Sequence, residues 1–424
     1  MRGDAAVPGD KSCSHRALIF GSLASGETRI TGLLESADVL ATAHAVAALG
    51  ATVDRTGPGE WRVTGCDWAS PTNPIDCGNS GTAVRLLIGA LAGRDGVAAT
   101  FTGDASLSSR PMRRVTAPLE RMGARFEGGD KLPLTVHGAR LGGIDQLNVP
   151  ASAQVKSAIL VAGLGTSAPV AVTEPVPSRD HSEIMLATFG VDVAVEDTPD
   201  GRRVQLGPDR ALIGCDVAIG SDPSSAAFPL VAAAIVPGSS ICVRGVNVNP
   251  LRTGLYETLE AMGVDLSLAN ERIVSGEVLA DLTVAHAPLQ PCHVTADQVP
   301  AMIDEIPILA VACAFADGES VIEGLAELRV KESDRLGAVI AGLAANGVVA
   351  LADGDTLRIF GRGNVKGGGT VTTHGDHRIA MAFLTLGLAA EQPVEVDEAE
   401  MIGTSFPGFT ELMRGLGADI LEVS

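Results

Sequence analysis

The sequence predicts an α/β protein of two similar domains, each made of three copies of one α/β unit. Three observations carry that expectation: a recurring helix exit, a recurring helix opening, and a length of 424 residues that exceeds one hydrophobic core. The exit reads Leu49-Gly50-Ala51, Met122-Gly123-Ala124, Phe189-Gly190-Val191, Met262-Gly263-Val264, Asn346-Gly347-Val348 and Leu416-Gly417-Ala418. Successive glycines lie 73, 67, 73, 84 and 70 residues apart. A glycine just past a helix end takes the left-handed backbone that lets the chain leave a helix for a strand.

The openings are polar clusters ahead of Ala-rich runs. They are Lys11 to Arg16, Asn79 to Thr82, Ser152-Ala153-Gln154, Asp222 to Ser225, Ile303-Asp304-Glu305 and Gly375 to Arg378. The helices that follow, such as Ala380 to Ala390, are apolar on most faces and are expected to be buried. A turn and a strand come next, as in Gly26 to Thr31 and Gly318 to Ile322. A polar loop, a second helix ending at the glycine and a hairpin complete the unit. Helix, strand, helix, strand, strand thus recur six times, dividing three plus three near Gly220-Ser221-Asp222.

Composition narrows the function. Hydrophobic residues are 46% but aromatics only 3%, so the core is aliphatic. A net charge of −20 argues against a nucleic-acid or anionic-membrane partner, while leaving room for a locally basic cleft. Seven scattered cysteines without a Cys-x-x-Cys pair read as reduced thiols, with no zinc site or disulfide framework. No signal core, transit segment or apolar run of spanning length is visible, so a soluble cytoplasmic protein is expected.

The chemistry concentrates at loops before helices. Only five of the 31 basic residues are lysines, and one lies in the dense cluster Lys331-Glu332-Ser333-Asp334-Arg335. That cluster reads as a strand handing over to a helix, with Lys331 and Arg335 one turn apart and Glu332 beside them. Arg110, Arg179 and Arg252 occupy comparable loop slots. Any one of them reads as a surface ion pair; a basic residue repeated at one slot points to anion binding. Asp304 reads as a helix cap or a proton-transfer carboxylate, Glu332 as a carboxylate held ionised by Lys331, and His377 as a cap residue or phosphate ligand. Several cationic clamps, two carboxylates, no metal triad and no paired nucleophile describe transfer chemistry on phosphorylated or carboxylated substrates.

Pro8 to Arg16, Asp76 to Thr82, Gly103 to Met112, Ser152 to Ser157, Arg329 to Arg335 and Gly375 to Arg378 together resemble the 5-enolpyruvylshikimate-3-phosphate synthase family. The resemblance spans essentially the whole chain, in order. It implies the enolpyruvyl transferase fold, an inside-out α/β barrel with three βαβαββ units per domain. The implied domains are residues 8–221 and residues 1–7 plus 222–424, with the active site in the cleft between them. It implies transfer of the enolpyruvyl group of phosphoenolpyruvate to the 5-hydroxyl of shikimate 3-phosphate, with release of phosphate and without a cofactor or metal, by a monomer.

Residue by residue, the resemblance assigns Lys11, Ser12, Arg16, Ser152, Ala153, Gln154, Arg179, Asp304 and Lys331 to shikimate 3-phosphate. It assigns Lys11, Asn79, Gly81, Arg110, Gln154, Arg335, His377 and Arg378 to phosphoenolpyruvate, and Asp304, Glu332 and Lys11 to catalysis. Thr404 stands where many members carry a phosphoenolpyruvate-touching Lys. Gly81 stands where the glyphosate-tolerant branch usually has Ala, and Leu86 where the sensitive branch usually has Pro. The chain ahead of Lys11 is short for the family. Two other readings compete. UDP-N-acetylglucosamine enolpyruvyl transferases share the fold but usually carry a reactive Cys in the loop that is Asp104 to Arg110 here, where none occurs. A non-catalytic anion-binding protein would not need Lys11, Asp304, Glu332, Arg335 and Arg378 together.

Overall fold

The computed structural model describes residues 1–422 and contains two compact units. One comprises Gly9–Ile219 with Val274–Glu277; the other comprises Met1–Pro8, Gly220–Ile273 and the chain from Val278 onward. Each has its own aliphatic core.

The first unit holds helices α1 (Lys11–Leu23), α2 (Ala37–Ala48), α3 (Gly81–Ala92), α4 (Ala105–Ser109), α5 (Arg113–Met122), α6 (Ala153–Gly163) and α7 (His181–Thr188). Its three sheets are copies of one plan. In the middle one, Ile75–Asp76 runs parallel to Ala98–Thr102, and the hairpin Arg125–Gly128 and Leu134–His137 returns antiparallel to it. Ile144–Leu147, Val170–Glu174, Val193–Thr198 and Gly201–Leu206 repeat the pattern. In the remaining sheet the parallel partner of Glu27–Thr31 is Asp216–Ala218, from the far end of the segment. Alternation along Ala98–Thr102 buries Ala99 and Phe101, as a period of two demands of a sheet with one dry face.

Helices α1, α3 and α6 pack together on that dry side. Their small residues permit it: a Cβ on Gly89 would meet the Ala158 carbonyl oxygen at 2.4 Å, and one on Gly93 that of Ala162 at 2.5 Å. His15 joins three elements. Its Nδ1 lies 2.7 Å from Thr42 Oγ1 on α2, and its Nε2 3.3 Å from Ser80 Oγ, the hydroxyl that caps α3. Burial, followed by the charges of Lys11 and Arg16, holds the imidazole pKa well below its usual value.

The second unit holds α8 (Pro223–Ile235), α9 (Gly254–Ala261), α10 (Ile306–Ala314), α11 (Arg335–Ala345), α12 (His377–Gly387) and α13 (Phe409–Gly415). Every residue of α8 and α10 is buried, and both pack on α12. Arg2–Ala5 runs parallel to Ser240–Asn247, whose hairpin partner is Asp265–Val274 with Glu277–Ala285. His293–Val294, Asp317–Ile322, Val349–Asp353 and Thr356–Arg362 repeat the plan. The sixth unit departs from it. Thr370–Val371 pairs only with Glu395–Val396, and no closing hairpin follows among the described residues.

All six exit glycines have positive φ, from 82° at Gly347 to 113° at Gly50. The strand-to-helix reading of the charged cluster needs correction. The strand ends at Ile322, and a 3₁₀ turn, Ala326–Val330, intervenes; Asp334 caps α11 and Arg335 is its first residue. Lys331 and Glu332 therefore precede the helix rather than share a face with Arg335. The cap reading of Asp304 fails for a similar reason, because Glu305 holds the N-cap position of α10.

Two outcomes test these local arguments. At Gly123, φ 110°, a Cβ would make only an ordinary contact, 3.8 Å from the Arg140 carbonyl oxygen, so Gly123→Ala isolates backbone strain and lowers urea-measured stability by about 1–2 kcal/mol. Gly129→Ala, with nothing within 4 Å of the new methyl and without positive φ, leaves it unchanged. For His15, the unfolded chain takes up a proton near pH 6.5 and the folded chain does not. Stability therefore falls as pH drops through that value. A His15→Asn variant flattens this part of a pH–stability curve.

Candidate active site

Within the first unit, the predicted residues gather at helix openings. Asp10 caps α1, its carboxylate accepting the Cys13 N–H at 2.8 Å, and so orients Lys11 and Ser12 at the helix start. Lys11 Nζ is ion-paired with Asp38. Arg16, one turn on, is buried and engages all three guanidinium nitrogens. Nε donates to Ser182 Oγ at 2.7 Å, Nη2 to Ser157 Oγ at 2.8 Å and Nη1 to the Ser12 carbonyl at 2.9 Å. Burial pulls its pKa down. Arg16 thus braces α1, α6 and α7, while Lys11 and Ser12 remain half-buried.

Gly81 is the first residue of α3. A Cβ there would lie 2.7 Å from Arg85 Nη1 and 3.2 Å from Arg110 Nη1, so two guanidinium groups crowd this opening. Arg110 Nη2 donates to Asn79 Oδ1 at 2.7 Å and to Ser106 Oγ at 3.1 Å, and Asn79 Nδ2 donates to Asp104 Oδ2 at 2.7 Å. Arg85 Nη1 donates to Gln154 Oε1 at 2.8 Å, and Gln154 Nε2 to Thr82 Oγ1 at 3.0 Å. Asn79, Gly81, Arg110 and Gln154 thus meet, joined by Arg85, which sequence reading did not single out. Its signal was a lone charge in the apolar run of α3, four residues after Gly81.

Ser152 stands at the N-cap of α6 but makes no side-chain capping bond. The first N–H groups of α6 have no intrahelical partner, and Ala153 and Gln154 carry two of them. Arg179 lies half-buried in the loop before α7. The loop is held from below. Glu174 accepts the Ser178 N–H at 2.9 Å, and Lys156 Nζ sits 2.9 Å from Glu174 and 2.7 Å from Glu183. One of the chain's few lysines is therefore a buried brace.

The second unit contributes an ion cluster around Arg335, which is 1% exposed. Its Nε lies 2.8 Å from Asp376 Oδ2, Nη1 3.3 Å from Asp304 Oδ1 and Nη2 2.6 Å from Glu332 Oε2. Burial alone would lower the guanidinium pKa, but Asp376, Glu332 and Asp304 outweigh it and raise it. Lys331 Nζ reaches the same Asp304 oxygen at 3.2 Å, and Arg378 Nη1 donates to the Asp304 carbonyl at 2.9 Å. Asp304, Lys331, Glu332, Arg335 and Arg378 are thus brought together. His377 is the buried first residue of α12, next to the cap Asp376.

Asp376 is the principal residue sequence reasoning missed. It caps α12 by accepting the Arg378 N–H at 3.0 Å, and it also accepts from Ser333 Oγ at 3.1 Å. The cap role was legible in Gly375-Asp376-His377-Arg378; the tie to Arg335 was not. Arg252 needs correction as an anion-slot residue. It is buried, with Nη2 2.9 Å from Ser224 Oγ and 3.3 Å from Asp222 Oδ1, and it braces the opening of α8. Thr404 Oγ1 donates to the Met401 carbonyl at 2.7 Å.

Asp10, Cys13 and His181 each bring one ligand atom within 4.8 Å of the others. Asp10 is the α1 cap and His181 Nδ1 lies 2.7 Å from Glu277 Oε1, so a hydrogen-bonded core network accounts for the trio.

Known proteins bear directly on these clusters. The profile of the family described as EPSP synthase (3-phosphoshikimate 1-carboxyvinyltransferase) matches residues 1–413. A 3-phosphoshikimate 1-carboxyvinyltransferase of Phenylobacterium zucineum is 54% identical over 424 residues, covering 99% of this chain and 94% of that protein. The Caulobacter vibrioides protein of the same name is 53% identical, covering 100% and 97%. The solved EPSP synthase of Acinetobacter baumannii superposes with a TM-score of 0.87 at 42% identity, over 98% of this chain and 96% of that one. The enolpyruvyl transferase NikO of Streptomyces tendae, at 19% identity and a TM-score of 0.80, shares the fold over 98% of this chain and 95% of its own. Near-complete coverage in both directions, at more than half identity to curated relatives, places the chain in the EPSP synthase (3-phosphoshikimate 1-carboxyvinyltransferase) family.

Proposed function

We propose that the clusters of both units serve one reaction: addition of the 5-hydroxyl of shikimate 3-phosphate to C2 of phosphoenolpyruvate, then loss of phosphate. Family membership makes the chain a 1-carboxyvinyltransferase of the shikimate pathway, which leads to aromatic amino acids. The assignment of residues to steps is our reading. So are a cleft between residues 8–221 and residues 1–7 plus 222–424 as the place of reaction, a monomer as the working form and the cytoplasm as its location. Among the described residues no helix is long and apolar enough to cross a membrane.

The observation that carries the reading is Asp304 lying within 3.3 Å of both Lys331 and Arg335, with Arg378 on its carbonyl. In this assignment Asp304 takes the proton of the 5-hydroxyl, with Lys331 orienting the carboxylate. Glu332 delivers a proton to C3 of phosphoenolpyruvate as C2 is attacked. The tetrahedral intermediate then loses its phosphate as the C3 proton leaves, which restores the double bond. Lys11, Arg110, Arg335 and Arg378 hold carboxylate and phosphate, with Asn79, Gly81, Gln154 and His377 around phosphoenolpyruvate. Lys11, Ser12, Ser152, Ala153, Gln154, Arg179 and Lys331 hold shikimate 3-phosphate. Arg16 acts one layer deeper, since its guanidinium is engaged by Ser12, Ser157 and Ser182. Fixed charges lower the barrier because they need no reorganisation when the anionic intermediate forms.

Phosphate release from the two substrates tests the reading. Asp304→Ala and Glu332→Gln each keep the fold by circular dichroism and lose about 10²–10⁴-fold in kcat. Full turnover by either variant sinks its assigned role. Gly81→Ala folds normally, because the atoms its methyl meets are the ends of two arginines. Displacing Arg85 and Arg110 raises the KM for phosphoenolpyruvate severalfold while the KM for shikimate 3-phosphate changes little.

A further inference from the structure

Cys292 and Cys313 stand apart from every residue assigned to the reaction. Cys313 sits on α10 and is fully buried; Cys292 lies just before the strand His293–Val294. Their sulfurs are 3.6 Å apart, and the Cys292 N–H donates to Ser320 Oγ at 3.2 Å. Buried thiols usually serve as small apolar fillers. Two features distinguish this pair. The sulfurs already touch, and Cys292 lines a cavity of about 280 Å³ together with His293, Met302, Gln298, Glu257 and Thr258. The hydrogen bond between the two sulfurs lowers the Cys292 pKa against the effect of burial, while the same bond and burial raise that of Cys313. Cys292, which faces the cavity, is the attacking thiol, and the fully buried Cys313 beside it is the resolving one.

We propose that Cys292 and Cys313 form a peroxide-reactive dithiol whose closure to a disulfide reversibly lowers turnover. A cavity of this size admits hydrogen peroxide, and a small hydroperoxide is the oxidant assigned to it. The Cys292 thiolate attacks one peroxide oxygen, breaking the O–O bond and leaving a sulfenic acid and one water. The Cys313 sulfur then attacks the Cys292 sulfur, losing its proton and expelling a second water. Two thiols supply the two electrons that reduce one peroxide to two waters. Bond formation brings the sulfurs from 3.6 Å to about 2.05 Å and pulls α10 toward the strand. Asp304 and Glu305 lead directly into that helix, so the displacement reaches the Asp304–Lys331–Arg335 cluster.

The effect on turnover rests on the proposed transferase reaction; the chemistry of the thiols does not. The test treats the reduced, folded chain with hydrogen peroxide, blocks remaining thiols and maps peptides without reduction. A peptide pair joined through Cys292 and Cys313, with kcat lowered severalfold and restored by dithiothreitol, is expected. Cys292→Ser keeps the untreated kcat and its turnover is unaffected by peroxide, and Cys313→Ser yields a trappable sulfenic acid at Cys292 in place of the cross-link. Absence of the joined peptides, or the cross-link with unchanged kcat, overturns the proposal. Failure of the transferase reading shows separately, as no turnover in the reduced control.

Discussion

The buried guanidinium of Arg335 is the constraint on which the second unit's arrangement depends. A charge at 1% exposure is stable only with partners of opposite sign and good geometry. Asp376 supplies the closest buried one, and Arg335 pulls its carboxyl below the usual carboxylate range against the opposing effect of burial. Because Asp376 caps α12 and Arg335 opens α11, their ion pair joins two helix starts. Asp304, two residues ahead of α10, adds a third. Three otherwise apolar helices thus present their polar openings at one place. Asp376 is a positioning residue there, and Asp304 and Glu332 are the half-exposed carboxylates of the cluster.

The first unit reaches a similar end by different means. One of its buried arginines, Arg16, is surrounded by serine hydroxyls and a carbonyl, with no carboxylate in direct ion pair among the described residues. Beside it, α3 and α6 approach closely because glycines at 89 and 93 admit the α6 backbone. Close approach brings Gly81 and Arg85 of α3 against Gln154 of α6. Side chains on different repeats thereby share one hydrogen-bonded patch. Two guanidinium groups, of Arg85 and Arg110, stand at the opening of α3 beside Gly81, and this positive charge suits the patch to anions.

Local rules made much of the fold readable. The six glycine exits could be recognised because a left-handed residue after a helix strongly favours glycine, and all six adopt it. Departures came where a short polar stretch admits several local structures. Residues 323–334 form a 3₁₀ turn and a capped helix start rather than a direct strand-to-helix junction. At the end of the chain the exit glycine, Gly417, was present, yet no hairpin follows it among the described residues.

Sequence by itself determined the repeat, the helix openings and the residue types that meet there, because caps, periodicity and glycine conformation are properties of a few neighbouring residues. It also placed Lys11, Asp304, Glu332, Arg335 and Arg378 among the functional candidates through spacing and resemblance. Only the tertiary structure decided which charges neutralise which. The partnership of Arg335 with Asp376, the inward turn of Arg16 and Arg252, and the meeting of Arg85 with Gln154 each join residues 28 to 166 positions apart. Such pairings are set by helix packing, and a buried charge takes whichever partner that packing brings within about 3 Å.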